Sequence, residues 1–125
     1  MNPRTILIVE DEPLIAMMLE DFLLSQGHAV RGPCESVAEG LAAVAADDFD
    51  LAILDVNLKG ESVWPVATAL RARDIPFVLA SGGHVEPPPI EFANIPMIEK
   101  PYTIDRVIPV IREALGDAAD EEINA

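Results

Sequence analysis

Short apolar segments that recur along the chain, with helix-length stretches between them, constrain its fold more than any other feature. The first, residues 5–9, is continuously apolar and rich in β-branched side chains, as expected for a strand buried on both faces. Further strands are predicted at residues 28–31, 51–54, 77–80 and 97–98. Strands and helices that alternate in this way predict an α/β fold, in which helices cover both faces of a parallel sheet.

The stretches between the strands carry helix signals. Residues 13–26 place six apolar side chains at helical spacing, predicted to form one buried face before Gly27: Leu14, Ile15, Met18, Leu19, Phe22 and Leu23. Ser36 and Glu39 form a capping box for a helix over residues 37–46.

Two more helices are predicted in the second half of the chain. Ser62 is the predicted cap of a helix over residues 63–73, with Pro65 in its first turn. Thr103 is the predicted cap of a last helix that ends near residue 116, with Pro109 as a kink.

Glycines and prolines between residues 82 and 94 predict that a fourth helix, between the last two strands, is shortened or irregular. The pattern divides the chain into one domain over residues 1–116 and an acidic tail over residues 117–125.

Composition excludes several classes of function. The chain has 125 residues and a net charge of −14, which argues against direct contact with nucleic acid and favours cations or basic protein surfaces. No apolar run is long enough to span a membrane and the first residues do not resemble a secretion signal, so a cytoplasmic protein is expected. Cys34 is the only cysteine and is expected to be a small buried residue.

Polar residues follow four of the five strands. Glu10 and Asp11 follow the first, Asp55 and Asn57 the third, Ser81 the fourth and Lys100 the fifth. Ligands of open α/β sheets bind outside the carboxyl ends of the strands, where the strand order reverses. We therefore expect these side chains to converge on one site.

Carboxylates that converge in this way repel one another by about 4 kcal/mol per pair at 4 Å and an effective dielectric near 20. Lys100 can offset part of that charge, and a site made only of oxygen ligands suits Mg²⁺. Asp55 is then a plausible nucleophile for phosphoryl transfer, a reaction that depends mainly on positioning and charge stabilisation.

Four motifs now stand out together: ILIVEDE at residues 6–12, LDVNLKG at residues 54–60, ASG at residues 80–82, and Lys100-Pro101. In this order and at this spacing they resemble the motifs of response-regulator receiver domains, over residues 4 to about 115. The resemblance implies a flavodoxin-like, doubly wound, five-stranded parallel sheet of order 2-1-3-4-5, with helices on both faces.

The resemblance also implies residue roles. Asp55 is the phosphoacceptor, Ser81 and Lys100 contact phosphoryl oxygens, and the Lys100-Pro101 bond is cis. It further implies that Mg²⁺ is bound by Glu10, Asp11, Asp55 and the backbone carbonyl of Asn57.

Two features depart from the common pattern of the family. The residue three positions before the lysine is usually aromatic, whereas here it is Met97. The segments PFVLASGG at residues 76–83 and KPY at residues 100–102 resemble instead the "FAT GUY" subgroup of stand-alone receivers.

The function that follows is a phosphorylatable receiver that takes its phosphoryl group from a histidine kinase or histidine phosphotransfer protein and signals by protein–protein interaction, as a monomer or weak dimer. It is a signalling domain rather than an enzyme, and catalyses only its own phosphorylation and dephosphorylation. Met17 and Leu24 lie off the apolar stripe of the first helix and are candidates for the donor's docking face, against the simpler interpretation of scattered surface residues.

Three alternative functions fit the sequence less well. A receiver-fold docking module that is not phosphorylated does not account for the intact set of acids. A haloacid-dehalogenase-like phosphatase carries its nucleophile after the first strand, and a flavodoxin-like nucleotide carrier needs a less acidic first loop.

Overall fold

The computed structural model describes residues 4–82, 88–100 and 102–116. Within them the elements are β1 (Thr5–Val9), α1 (Pro13–Ser25), β2 (Ala29–Cys34), α2 (Val37–Ala46), β3 (Leu51–Asp55), β4 (Asn57–Leu58), β5 (Glu61–Ser62), α3 (Trp64–Ala72), β6 (Phe77–Ser81), β7 (Met97–Glu99) and α4 (Ile104–Leu115). The predicted tail over residues 117–125 and the predicted cis bond at Pro101 lie outside the described residues.

Five strands form one parallel sheet in the order β2-β1-β3-β6-β7. Counted among themselves these strands have the order 2-1-3-4-5, so the predicted flavodoxin-like fold is confirmed. The chain moves outward in opposite directions from β1 and β3, and the carboxyl ends of both strands lie at the same edge of the sheet. This reversal leaves a crevice beyond the two strand ends.

Helices cover both faces of the sheet, and each face has its own core. On one face α2 and α3 pack through Val44, Val66 and Leu70 against side chains of β1, β3 and β6. On the other, α1 and α4 pack through Leu19, Leu23, Val107 and Ile111. The burial of each such side chain contributes about 1.5–3 kcal/mol to the free energy of folding. Together these contacts hold the strand ends that carry the polar residues in place.

The second strand begins one residue later than predicted and continues to Cys34, through Pro33. Proline lacks the N–H that a strand donates, but β2 is an edge strand, where that donor is not required by a second neighbour. Cys34 is buried, as expected.

The apolar stripe predicted for α1 is partly wrong. Its buried residues are Ala16, Leu19 and Leu23, whereas Leu14 is 78% and Met18 is 39% exposed. Met17 and Leu24 are also exposed. The helix therefore presents more apolar surface to solvent than its sequence periodicity indicates.

The helix caps agree with the sequence in one case and differ in two. The Glu39 N–H donates to the Ser36 hydroxyl over 3.1 Å, which confirms the cap of α2. Ser62 does not cap α3, because it lies in β5 and Val63 is the cap residue. Thr103 does precede α4, but its side chain makes no capping hydrogen bond, and Pro109 lies inside that helix.

In the part of the 82–94 segment that the structure describes, one 3₁₀ turn at Ile90–Phe92 stands where a fourth helix would lie. Phe92 is buried, stacks on Trp64 with ring centroids 5.6 Å apart, and meets Phe77 edge-on. Arg71 covers Phe92, 4.6 Å from its ring centroid, and donates to the carbonyl of Glu91. The prediction of a shortened fourth helix agrees with this turn.

Among the helices described, none combines the length and the apolar composition that crossing a bilayer requires.

Gly32→Ala is expected to lower the free energy of unfolding by about 3 kcal/mol, because it combines left-handed backbone with overpacking. Gly32 has φ +92°, and an added Cβ would lie 2.6 Å from the Ile8 carbonyl oxygen. Gly27→Ala is the matched control, since Gly27 has φ +86° but open space around it. Denaturant unfolding should therefore show a loss of only about 1 kcal/mol for the control. Equal losses would contradict the close approach of β2 to β1.

Candidate functional site

The ends of four sheet strands bring their polar residues to one place. Glu10 follows β1, Asp55 ends β3, Ser81 ends β6 and Lys100 follows β7. Register keeps these ends level, because Val9 lies beside Leu54 and Asp55 beside Ala80. The Lys100 N–H donates to the Ser81 carbonyl over 2.8 Å, which fixes the start of the lysine side chain.

Lys100 contacts two carboxylates at once. Its Nζ lies 2.6 Å from Glu10 Oε1 and 2.8 Å from Asp55 Oδ2. Exposed fractions of the side chains are 10% for Lys100, 1% for Glu10 and 8% for Asp55. Charges removed from water to this extent interact more strongly than surface pairs do, and leaving one of them unpaired is costly.

Three carboxylates form a compact cluster beside this lysine. Oxygens of Glu10, Asp11 and Asp55 all lie within 4.8 Å of one another. A small set of hard oxygen ligands from the protein fits Mg²⁺, because this ion retains several waters when it binds. The donor set therefore fits the ion that the sequence predicts.

Each of the three carboxylates has one oxygen held by a backbone N–H. Glu12 donates to Glu10 Oε2 over 3.2 Å, Asn57 to Asp55 Oδ1 over 3.2 Å, and Lys59 to Asp11 Oδ2 over 2.8 Å. These bonds fix the orientation of the three side chains. They leave Glu10 Oε1 and Asp55 Oδ2 for Lys100.

The hairpin β4-β5, which the sequence analysis missed, supplies the third of these donors. Lys59 and Gly60 form its turn with φ +50° and +85°, the signs that a type I′ turn requires. The Gly60 N–H donates to Asn57 Oδ1 over 3.1 Å. A glycine at the second turn position is the signal that could have revealed this hairpin.

Burial alters the ionisation of the site. It raises the pKa of Glu10 to about 7, with Asp55 adding to the rise and Lys100 opposing it. Burial acts against the charged form of Lys100, but its hydrogen bonds to Asp55 and Glu10 prevail and raise its pKa. Lys100 is therefore a cation at neutral pH.

The predicted site residues fall into two groups. The structure brings together Glu10, Asp11, Asp55 and Lys100, and Ser81 adjoins them as a buried residue. Asn57 is exposed; its N–H donates to Asp55 Oδ1 and its side-chain oxygen accepts from the Gly60 N–H. Tyr102, which the sequence analysis named only as part of the KPY segment, is buried beside the site with Lys100 Nζ 5.9 Å from its ring centroid.

Comparison with known proteins identifies the class. The family model of the response regulator receiver domain matches residues 6–112, and the chain belongs to this family. Receiver domains act in signalling by two-component systems. Glu10, Asp11 and Asp55 form an acidic pocket of the kind found in this class.

Solved structures of similar proteins agree with the assignment. The solution structure of SdrG from Sphingomonas melonis Fr1 is 52% identical, with a TM-score of 0.80 over 89% of this chain and 94% of that one. The BeF3-activated conformation of SdrG from Pseudomonas melonis Fr1 is 50% identical, with a TM-score of 0.76 over 89% and 95% of the two chains.

Curated relatives are longer than this chain. The transcriptional regulatory protein TcrA of Mycobacterium tuberculosis is 40% identical over 73 residues, which are 56% of this chain and 27% of TcrA. The uncharacterized transcriptional regulatory protein YkoG of Bacillus subtilis is 35% identical over 120 residues, which are 92% of this chain and 52% of YkoG. The chain thus spans about a quarter to a half of these relatives.

Saturating Mg²⁺ is expected to stabilise the protein, because it binds the folded carboxylate cluster. At one hundred times its dissociation constant it adds about 2.7 kcal/mol, or roughly 10 °C in Tm for a domain of this size. Asp11→Asn should raise the Tm in EDTA by relieving repulsion, and should lose most of the response to Mg²⁺. Asp48→Asn is the control, since Asp48 pairs with Arg31 at the surface. Scanning calorimetry that finds equal responses in both variants would place the ion elsewhere.

Proposed function

We propose that this receiver domain accepts a phosphoryl group on Asp55 from the phosphohistidine of a histidine kinase or histidine phosphotransfer protein, in a Mg²⁺-dependent reaction. The observation that supports the proposal most directly is the set of contacts around the Asp55 carboxylate. One of its oxygens is held by the Asn57 N–H, the other faces the buried Lys100 ammonium, and two further acids lie beside it.

Transfer requires an oxygen of Asp55 to attack phosphorus as the bond from phosphorus to the donor imidazole nitrogen breaks. The carboxylate becomes an acyl phosphate, and the imidazole leaves with a proton. Lys100 pairs with one phosphoryl oxygen and the Ser81 hydroxyl donates to another. Both residues are already at the strand ends beside Asp55, so the site needs little rearrangement.

Mg²⁺ would be held by Glu10, Asp11, Asp55 and the Asn57 carbonyl, and when bound it supplies positive charge that offsets the phosphoryl oxygens. The support for this assignment is the position of two acids beside the nucleophile, Glu10, which is buried, and Asp11, which is partly buried.

Phosphorylation adds about −1.5 to −2 charge next to Ser81, and we propose that the 82–94 segment responds to it. Met97 has no aromatic ring, so it cannot take the role of the aromatic residue that usually lies three positions before the lysine. The "FAT GUY" resemblance and the 3₁₀ turn at Ile90–Phe92 support a response carried by this segment instead. The output is then a protein–protein interaction, made in the cytoplasm by a monomer or weak dimer, without direct contact to nucleic acid.

A docking face for the donor is the exposed apolar surface of α1. Leu14 and Met17 are 78% and 57% exposed, and both lie within two turns of the Asp11 loop. Ile104, at the start of the neighbouring α4, is also exposed. Grouped apolar side chains on a surface helix next to a reactive site fit a helical partner.

Asp55→Asn is expected to abolish labelling by a small acyl phosphate in the presence of Mg²⁺, because the amide is not a nucleophile. Mass spectrometry of intact protein measures the added phosphoryl group. Asp48→Asn, a surface carboxylate, should be labelled like the unaltered protein. Labelling that persists in Asp55→Asn would exclude Asp55 as the acceptor and leave the unphosphorylated docking module as the better description.

Met17→Asp is expected to slow phosphotransfer from a histidine phosphotransfer protein about tenfold or more, the effect of removing a well-packed contact at an interface. Labelling by the small acyl phosphate should not change, because Met17 lies outside the site. Leu41→Asp on α2 is the matched control, since Leu41 is also exposed at 38%. Equal transfer rates for the two variants would exclude the α1 face.

A further inference from the structure

The hairpin β4-β5 contacts the acid cluster, yet the proposed reaction uses only one backbone carbonyl from it. Its two strands pair residues 57–58 with residues 61–62. Leu58 and Val63 are fully buried, and the Val63 N–H donates to the Val56 carbonyl over 3.2 Å. The base of the hairpin is thus anchored in the core, which holds its turn in a defined place.

The turn of the hairpin has a conformation that its first residue does not favour. Lys59 has φ +50°, in the left-handed region that residues with a Cβ rarely adopt. Gly60, with φ +85°, adopts this region without strain, and its N–H donates to Asn57 Oδ1 over 3.1 Å. A contact that offsets the unfavourable angle at Lys59 is its hydrogen bond to Asp11.

This hydrogen bond differs in kind from those at the other two acids. The N–H groups that hold Glu10 and Asp55 lie two residues further along the chain from each acid, at 3.2 Å in both cases. The bond from the Lys59 N–H to Asp11 Oδ2 is 2.8 Å long and joins residues 48 positions apart. The orientation of Asp11 therefore depends on where the hairpin lies, whereas local backbone orients the other two acids.

Asp11 also depends on its backbone donor more than its neighbours depend on theirs. Glu10 and Asp55 both contact the Lys100 ammonium as well. Asp11 has the Lys59 N–H as its only polar partner among the residues that the structure describes. Because Asp11 is partly exposed, rotation of its side chain toward water would relieve its repulsion from the other carboxylates. The hydrogen bond opposes that rotation and keeps the third acid in the cluster.

We propose that Lys59 is a positioning residue for Mg²⁺. Its backbone N–H, presented by the hairpin turn, holds Asp11 Oδ2 and leaves the second oxygen of that carboxylate to the cation. The geometry of the turn thereby sets the affinity of the acid cluster for the ion. The inference rests on the Mg²⁺ site of the proposed function and adds to it a determinant outside the acids themselves.

The hydrogen bond can be observed directly by NMR of the full chain labelled with ¹⁵N and ¹³C. A scalar coupling between the Lys59 amide nitrogen and Asp11 Cγ is detected only when the N–H and the carboxylate share a hydrogen bond. The coupling should be present in EDTA and should remain when Mg²⁺ is added. Its loss on Mg²⁺ binding would overturn the proposal, because Asp11 would then bind the ion in an orientation that the hairpin does not set.

An ester in place of the Lys59 amide removes the N–H donor and keeps the side chain and the length of the backbone. In the semisynthetic full chain, the Mg²⁺ affinity measured by calorimetry should fall about tenfold, the effect of losing one hydrogen bond to a charged group. The matched control is the same replacement at Gly60, whose N–H donates to Asn57 within the same turn. The control should bind Mg²⁺ within twofold of the unaltered protein, because it loosens the turn without removing a donor to the acids.

The remaining outcomes separate this inference from the proposed function. If the ester at residue 59 binds Mg²⁺ as tightly as the unaltered protein, or if the two esters lose affinity equally, the role of the Lys59 N–H is overturned and the proposed phosphoacceptor is unaffected. Absence of Mg²⁺ binding by the unaltered protein would remove the metal site of the proposed function and this inference with it.

Discussion

The contact of one lysine ammonium with two buried carboxylates joins three strands of the sheet at their carboxyl ends. Lys100 follows β7, Glu10 follows β1 and Asp55 ends β3, so this contact spans both sides of the point where the strand order reverses. Removing the ammonium would leave two neighbouring carboxylates uncompensated away from water. The Asp55 carboxylate, the proposed nucleophile, thus also helps to hold the strand ends together. A change in its charge therefore alters the electrostatic environment of both Lys100 and Glu10.

Backbone donors make this arrangement specific. Each acid of the cluster has one oxygen fixed by an N–H from residues 12, 57 or 59, and the last of these comes from the turn of a two-stranded hairpin. The acids therefore face a common point with their remaining oxygens, although their charges repel. Such preorganisation lowers the free-energy cost of rearranging the site during a reaction in which charge develops there.

The sequence predicted the sheet and the residues at its edge, because continuous apolar strands and the acids that follow them are local signals. The sequence-based predictions were wrong where the structure depends on contacts between residues that are distant in the sequence. Leu14 and Met18 share a helical face with buried residues, but α4 covers only part of α1, so both remain exposed. Ser62 is a good cap by type, yet it pairs with Asn57 in the hairpin instead. Tyr102 belongs to the KPY segment at residues 100–102, but its burial beside the site arises only when the chain returns after β7.

The stacked pair of Trp64 and Phe92 joins the first turn of α3 to the stretch that replaces a fourth helix. Trp64 is the only tryptophan of the chain. Its indole is therefore a built-in optical reporter of how that stretch sits against the domain. Any movement that withdraws the phenyl ring exposes the indole to water and changes its emission, so the state of this segment can be followed in the unlabelled protein, in real time and at low concentration.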